Sequence, residues 1–207
     1  MKVMTEKEAE DFLESNNFRV AERVICSTSI SAIKAARKLK YPVVMKIVSK
    51  KILHKSDAGG VALNIISDYG LKKEFLRMKK LKGFEAVMIQ RYREGAYILL
   101  GLKKDAAFGH VVVVGAGGIY TEIFRDVSFR VCPITRQDAE EMLKEIKYYE
   151  VLNGARGIKY NTKPIIDALL KLSSLSVKHK NIEELDINPM ILGKNNGTIV
   201  DARIVFS

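Results

Sequence analysis

Near the carboxyl end of the chain, two short apolar segments each carry oxygen-bearing side chains at interior positions. The first segment reads Glu184-Leu185-Asp186-Ile187-Asn188-Pro189, and the second reads Ile199-Val200-Asp201-Ala202-Arg203. Side chains alternate between the two faces of a strand, so Asp186 and Asn188 point to one face and their apolar neighbours to the other. If the turn over residues 194–197 folds the second segment back antiparallel, Asp201 comes alongside Asn188.

Amide and carboxylate oxygens of this kind are ligands for a hard cation such as Mg²⁺. Magnesium usually takes only one or two protein ligands and leaves its remaining positions to water and phosphate. The pair of Asn188 and Asp201 is therefore sufficient to hold Mg²⁺ over a nucleotide. The alternative is a solvated hairpin whose polar residues simply face water, and this segment alone does not choose between the two interpretations.

A single lysine, Lys46, is embedded in the apolar strand predicted over Val43 to Val48. An ammonium group so near a core normally requires an anionic partner, and a nucleotide phosphate would supply one. Alternatively, the side chain extends from the strand edge to water. The loop that follows contains Gly59 and Gly60, whose backbone amides could approach an anion. The Walker A spacing is absent, however, and paired glycines are also typical of a plain turn.

Two further features of the sequence could take part in phosphate chemistry. His54 lies in the same loop as the paired glycines, and a neutral imidazole can accept a phosphoryl group. Loop histidines are usually incidental, so this role needs support from elsewhere. The segment Gly115 to Gly118 ends a predicted strand and could place further amides near a ligand. It does not have the GxGxxG pattern, which argues against a dinucleotide site.

The composition is that of a globular protein with an unusually basic balance. The chain has 207 residues, 47% of them hydrophobic and 29% charged, with a formal net charge of +11. A basic surface attracts anions, whether nucleotide, coenzyme A, nucleic acid or an acidic partner subunit. No apolar run approaches the roughly 20 residues of a membrane span, and no apolar signal segment opens the chain. The sequence therefore predicts a cytoplasmic protein without membrane association.

Predicted strands and helices alternate along the chain, which indicates an α+β fold built of α/β layers. Thr5 and Glu8 form a candidate capping box for the first helix. Further helices are predicted from Ser29 to Leu39 and from Arg136 to Tyr148, and a strand from Arg19 to Ile25. After Arg91 the pattern changes to two long strands. We therefore expect two lobes, an N-terminal lobe over residues 1–91 and a C-terminal lobe over residues 92–207.

Several motifs taken together resemble the family of ADP-forming acetyl-CoA synthetase β subunits. They are Pro42 to Ser49, Ile52 to Val61, Asp126 to Arg130, and Glu184 to Pro189 followed by Val200 to Arg203. The match follows the chain in order over nearly its whole length, and the joint occurrence of HKSDAGG and ELDINP is highly specific. The chain thus resembles ATP-grasp proteins of the acyl-CoA synthetase (NDP-forming) family, which is related to succinyl-CoA synthetase.

This resemblance implies a two-lobed ATP-grasp fold with the nucleotide, ADP or ATP, between the lobes. It also implies site residues in four groups: phosphate contacts at Lys46, Gly59 and Gly60; adenine contacts along Gln90, Arg91 and Tyr92; Mg²⁺ ligands at Asn188 and Asp201; and catalytic residues at His54 and Asp186. Within the last group, Asp186 corresponds to the acidic residue that steadies an incoming phosphohistidine. His54 corresponds to a histidine proposed in the family as a second phosphate carrier.

The resemblance further implies a partner. In that family an α subunit binds coenzyme A and carries the phosphoryl group on its own histidine to the nucleotide site of the β subunit. The chain would be half of a hetero-oligomer, such as an α2β2 assembly, that makes ATP from an acyl-CoA, ADP and phosphate. One departure from the family pattern matters, because Tyr97 stands where a glutamate is common in the family. A tyrosine cannot offer that carboxylate, and the nearby Glu94 could compensate.

Two other functions are compatible with parts of the sequence. The first is an autonomous ATP-grasp carboxylate ligase that acts through an acyl phosphate. The second is a basic nucleic-acid-binding protein. The lysines are scattered along the chain, without a concentrated arm or interleaved aromatic residues of the kind that stack on bases, so nucleic-acid binding is the least favoured.

Overall fold

The chain divides into two compact units, each with its own sheet and its own core. The computed structural model describes residues 1–49, 55, 57–118, 126–155 and 157–207. The small unit is Ala21–Arg93, and the large unit joins Met1–Val20 to Glu94–Ser207. No helix in the described part of the chain is both long enough and apolar enough to cross a bilayer.

The small unit is a four-stranded antiparallel sheet that packs against two helices. Its elements are β2 (Arg23–Cys26), α2 (Ser29–Leu39), β3 (Val43–Val48), β4 (Val61–Ile65), α3 (Asp68–Lys79) and β5 (Ala86–Arg91), with the strand order β2-β5-β3-β4. The helix predicted from Ser29 to Leu39 is confirmed, and the hydroxyl of Thr28 caps it. Met45 and Ile47 belong to the core beneath the helices, which turns Lys46 to the opposite face of β3.

The large unit contains a longer antiparallel sheet. Its elements are β1 (Lys2–Val3), α1 (Glu6–Ser15), β6 (Ala96–Asp105), β7 (Gly109–Ala116), β8 (Val127–Val131), α4 (Arg136–Glu145), α5 (Tyr149–Leu152), α6 (Lys163–Lys178), β9 (Ile182–Leu192), β10 (Gly197–Ile199) and β11 (Ala202–Phe206). The strands follow the order β1-β11-β9-β6-β7-β8, and β10 pairs with β9.

Alternation along β9 divides its side chains between a core and a polar face. Leu185 and Ile187 are fully buried in one cluster with residues of α1, α4 and α6. Asp186 lies between these two residues and Asn188 follows Ile187, and both are only partly buried. The helices therefore cover the apolar face of β9 and leave the oxygen-bearing side chains on the other face, as the sequence pattern predicted.

The first twenty residues belong to the large unit, whereas the sequence analysis placed them in the N-terminal lobe. The predicted capping box is present, since Thr5 and Glu8 exchange side-chain and backbone hydrogen bonds at the start of α1. Ala9 and Leu13 on this helix are fully buried in the large core. Strand β1 also pairs with β11. An amphipathic helix specifies that one face must be covered, but its local sequence does not specify which sheet covers it.

Two other predicted boundaries were wrong by a few residues. The strand predicted from Arg19 begins instead at Arg23, because the Arg19 carbonyl accepts the N–H of Ile199 at 2.9 Å and stays with the large unit. The helix predicted over 136–148 ends at Glu145, and a separate short helix follows over Tyr149–Leu152. Strand and helix ends depend on tertiary partners, which a local pattern does not contain.

Candidate functional site

The predicted metal ligands Asn188 and Asp201 stand opposite each other in the large sheet. Strands β10 and β11 pair with β9 in the same register, so residue 201, which lies between them, falls opposite residue 188. The N–H of Asn188 donates to the Asp201 carbonyl at 3.3 Å. Directly opposed residues share a face of the sheet, with Cβ atoms about 4.5–5.5 Å apart in a regular pair. The antiparallel return predicted from the sequence is therefore confirmed.

The donor set formed by this pair fits Mg²⁺. Asn188 offers a neutral amide oxygen and Asp201 offers a carboxylate, and both side chains are partly exposed. Hard oxygen ligands in this small number suit a cation that keeps water and phosphate in its other positions. Asn188 and Asp201 are therefore the residues that would hold the cation.

One of the two glycines after β7 contacts the predicted metal ligand Asn188 directly. The N–H of Gly118 donates to Oδ1 of Asn188 at 2.7 Å. The N–H of Gly117 donates to the carbonyl of Tyr97 at 2.8 Å. From the sequence, these amides could approach a ligand, whereas in the structure the Gly117 N–H bonds to β6 and the Gly118 N–H bonds to Asn188. An amide oxygen has two lone pairs, so Asn188 can accept this bond and still bind a cation.

The carboxyl group of Asp186 has an unusual electrostatic environment. In the sheet, Asp186 lies opposite Gly101 of β6 on one side and opposite Arg203 of β11 on the other. Burial raises the pKa of Asp186 to about 6, and the negative charges of Glu184 and Asp201 act in the same direction. Arg203 lowers the pKa but does not cancel the rise. Asp186 is thus mostly ionised at neutral pH, and a modest fall in pH protonates it.

The small unit holds the predicted nucleotide contacts Lys46 and Gln90 on one face of its sheet. Only 5% of Lys46 and 1% of Gln90 is exposed. Met88 lies opposite Lys46, and Gln90 lies two residues farther along the same strand, so the two polar side chains are diagonal neighbours. A buried ammonium beside a buried amide can recognise an anion and a hydrogen-bonding base edge.

The remaining adenine candidates follow directly in the chain. Arg91 is the last residue of β5, pairs with Val43 and is exposed. The N–H of Tyr92 donates to the Pro42 carbonyl at 3.1 Å, so the backbone here is held against the start of β3. The three consecutive residues therefore differ in burial, with Gln90 fully enclosed and Arg91 facing solvent.

The paired glycines are structurally constrained. The N–H of Gly60 donates to the Lys55 carbonyl at 2.6 Å, and a Cβ at Gly60 would lie 2.4 Å from Cγ2 of Ile47. Gly59 has φ +68°, and its carbonyl accepts a bond from Arg77 at 2.6 Å. The Gly60 N–H is thus already used within the protein, so a phosphate contact by that group requires this bond to open. The predicted catalytic residue His54 lies outside the described residues.

Three residues make contacts at the candidate site that the sequence did not indicate. Arg203 faces Asp186, Gly118 donates to Asn188, and the ring of Tyr97 lies against Gly118. The sequence did contain one signal for Arg203. Arg203 follows Asp201 at the same two-residue spacing by which Asn188 follows Asp186. The bond from Gly118 to Asn188 carries no such signal, since it joins residues 70 positions apart.

Two α+β units define the class of this protein. The small one presents a buried lysine and glutamine, and the large one presents an opposed asparagine and aspartate. Over residues 1–206 the sequence matches the family described as ATP-grasp domain. The chain belongs to this family.

Relatives within the family carry closely related names. The chain is 39% identical to the Pyrococcus furiosus protein "Acetate--CoA ligase [ADP-forming] I subunit beta", covering 98% of this chain and 91% of that one. It is 38% identical to the Archaeoglobus fulgidus protein "Acetate--CoA ligase [ADP-forming] II", covering 98% of this chain but 30% of that one. The chain thus spans under a third of the length of the second relative.

A solved structure is also similar over the whole chain. It is the Ca. Korarchaeum cryptofilum dinucleotide forming acetyl-coenzyme A synthetase 1, in complex with coenzyme A and Mg-AMPPCP and with its phosphohistidine segment pointing towards the nucleotide binding site. The TM-score is 0.87 at 36% identity, covering 100% of this chain and 93% of that chain. The two-lobed ATP-grasp fold expected from the sequence is therefore confirmed as a fold class.

Proposed function

We propose that this chain is the nucleotide-binding, phosphoryl-transferring β subunit of an ADP-forming acyl-CoA synthetase, with acetyl-CoA as the representative substrate. It works with an α subunit that binds coenzyme A, in a hetero-oligomer. The overall reaction converts acyl-CoA, ADP and phosphate to the free acid, ATP and coenzyme A. The observation that carries the proposal is the opposition of Asn188 and Asp201 in the large sheet.

The residues of this chain have different roles in phosphoryl transfer. Lys46 neutralises phosphate charge, and Gln90 with Arg91 and Tyr92 contacts the adenine. Mg²⁺, when bound by Asn188 and Asp201, supplies further charge stabilisation at the phosphates. Most of the catalytic effect in such reactions comes from positioning and electrostatics, so a sparse set of groups is enough.

Asp186 orients the incoming phosphohistidine of the partner. Its carboxylate is mostly ionised at neutral pH and can accept a hydrogen bond from the imidazole N–H that is not phosphorylated. In the transfer step the N–P bond breaks, and a β-phosphate oxygen of ADP forms the new P–O bond. His54 acts before this step as a second carrier: a ring nitrogen of His54 takes the phosphoryl group as the N–P bond of the partner's phosphohistidine breaks, and the N–P bond formed on His54 is the one that breaks when the group passes to ADP. Support for this partner comes from the relative named as a subunit beta and from the phosphohistidine segment in the similar structure.

The decisive experiment combines binding with reconstitution. The purified chain is expected to bind ADP in the presence of Mg²⁺ and to make no ATP from acetyl-CoA, ADP and phosphate by itself. Addition of a CoA-binding α subunit is expected to start ATP synthesis. ATP formation by the chain alone would contradict the proposal. ATP consumption that depends on a free acid and an amine would point instead to an autonomous carboxylate ligase.

A further inference from the structure

We infer that Tyr97 and Gly118 are positioning residues, which hold Asn188 in the orientation that a bound cation needs. The inference rests on the proposed function and deepens it. It concerns Tyr97, which stands where the resemblance implies a glutamate, and it gives Tyr97 a role that requires no carboxylate.

The bond from the Gly118 N–H sets the orientation of the Asn188 amide. A side-chain amide has an oxygen end that can bind a cation and an NH2 end that cannot, because the nitrogen offers only hydrogens. The Gly118 N–H lies 2.7 Å from Oδ1 and can bond only to the oxygen end. This donor therefore selects the rotamer in which Oδ1 lies beside the turn, and the second lone pair of that oxygen stays available to the cation.

The turn at Gly117 and Gly118 is itself held against β6. The Gly117 N–H donates to the Tyr97 carbonyl at 2.8 Å. A Cβ at Gly117 would lie 2.7 Å from the carbonyl carbon of Ile98, so the turn lies directly on β6. Gly118 has φ +68°, and a Cβ there would lie 3.0 Å from Cδ2 of Tyr97. The aromatic ring thus packs against the Cα of the residue that donates to Asn188.

Through these two contacts Tyr97 holds both residues of the turn at Gly117 and Gly118. Its carbonyl fixes Gly117, and its ring limits the movement of Gly118. The carbonyl contact survives any side-chain substitution, whereas the ring contact is lost when the side chain is truncated. Loss of the ring therefore loosens the donor to Asn188 while the backbone connection to β6 remains. Partners of metal ligands that act in this way typically affect metal affinity about tenfold or more.

The test measures metal uptake and not turnover. Mn²⁺ is titrated into the full chain with saturating ADP, and bound Mn²⁺ is followed by electron paramagnetic resonance. Tyr97→Ala is expected to raise the half-saturating Mn²⁺ concentration on the order of tenfold. The affinity of the Tyr97→Ala variant for ADP in EDTA should stay at the wild-type value. Tyr97→Phe keeps the ring and is expected to show the wild-type Mn²⁺ response.

A double-mutant cycle separates positioning from a general loss of structure. In an Asn188→Ala background, Tyr97→Ala is expected to add no further loss, because the group that it positions is already gone. Gly118→Ala perturbs the same contact from the other side and is expected to weaken Mn²⁺ uptake in the same way. Tyr69→Ala serves as the matched control, since Tyr69 is a tyrosine of the small unit that is 82% exposed. Thermal melting checks that each variant is folded.

Three results would overturn the inference. The first is unchanged Mn²⁺ uptake in folded Tyr97→Ala, and the second is full additivity of Tyr97→Ala with Asn188→Ala. The third is a loss of ADP affinity in EDTA by Tyr97→Ala, which would place the ring against the nucleotide. A different result would overturn the proposed function as well. If the wild-type chain itself takes up no Mn²⁺ with ADP, neither the metal pair nor its supports have the assigned role.

Discussion

Asn188 faces Asp201 across the antiparallel return between β10 and β11, and a backbone hydrogen bond of 3.3 Å joins the two residues. The sheet thereby fixes two oxygen-bearing side chains on one face at a separation that neither local segment specifies. Because the bond is between backbone groups, it persists when either side chain is removed. Each ligand can therefore be tested without dismantling the strand pairing.

Truncation of either ligand should weaken binding that depends on metal. For Asn188→Ala and Asp201→Ala we expect ADP affinity in Mg²⁺ to fall at least about tenfold, with little change in EDTA. Isothermal titration with and without Mg²⁺ measures both quantities. Glu183→Ala is the matched control, because this carboxylate lies on the same strand but pairs with Lys104 at 3.0 Å. Equal Mg²⁺ dependence in wild type and both variants would refute the metal assignment.

Replacement of the buried lysine should weaken binding of the phosphates. Lys46→Met keeps an unbranched apolar stem in the buried position but removes the ammonium, so we expect the fold to persist. ADP affinity should fall about ten- to a hundredfold, the range for loss of a hydrogen bond to a charged group. Adenosine, which has no phosphate, should bind the variant and the wild type equally. Lys72→Met on α3 is the control, because Lys72 is exposed.

His54 should matter for transfer and not for binding. We expect His54→Ala to abolish or strongly reduce ATP synthesis by the reconstituted enzyme while Mg-ADP affinity stays nearly intact. The physical reason is that a phosphate carrier acts on the reacting group and does not hold the nucleotide. Coupled synthesis and calorimetric binding are measured on the same preparations, with His179→Ala as the control. Full synthesis by the His54→Ala variant would leave this residue as an ordinary loop histidine.

Asp186 should make the stability of the metal-free protein depend on pH. The pKa of this carboxyl is raised from 3.8 to about 6 on folding, mainly by burial. The folded state therefore binds more protons between about pH 4 and pH 6, so stability falls as pH rises through this window and the loss is complete above it. Asp186→Asn should be more stable than wild type by about 1–3 kcal/mol at pH 7.

The measurement for this prediction is chemical denaturation in EDTA without nucleotide. At pH 7 the Asp186→Asn variant should unfold at higher denaturant concentration than wild type, and near pH 4 the two curves should converge. A gain of equal size at both pH values would show that the titration of Asp186 is not the cause.

The first helix should stabilise the large unit and not the small one. Leu13 on α1 is fully buried in the large core. Leu13→Ala is expected to cost about 2–5 kcal/mol, the usual range for this truncation in a core. Hydrogen exchange should then increase in β9 and β11 but not in β3 and β5. Increased exchange confined to the small unit would contradict the assignment of residues 1–20.

Much of the local structure could be predicted because it depends on neighbours in sequence. The capping box at Thr5 and Glu8, the helix over Ser29–Leu39 and the strand over Val43–Val48 all follow from residue types within a few positions. The alternation along β9 likewise separated Leu185 and Ile187 from Asp186 and Asn188. Resemblance to a family then supplied the hypothesis that Asp186 and Asn188 are functional.

The site itself could be predicted only in part. From the sequence, the segment Gly115 to Gly118 could place amides near a ligand, whereas the N–H groups of Gly117 and Gly118 bond to Tyr97 and Asn188. The sequence also offered Gly60 as a phosphate donor, although the structure commits that N–H to the Lys55 carbonyl. A glycine motif indicates that backbone groups come close to something, and it does not indicate what that partner is.

The amino-acid sequence by itself determined the periodicity of each strand, the start of each capped helix and the chemical types available for binding Mg²⁺ and phosphate. Only the tertiary structure decided that α1 packs on the large sheet, that Asp201 stands opposite Asn188, and that burial among acidic neighbours raises the pKa of Asp186. The difference has a physical cause. Propensity and alternation act over a few residues, whereas register, burial and charge proximity arise when segments far apart in the chain pack together.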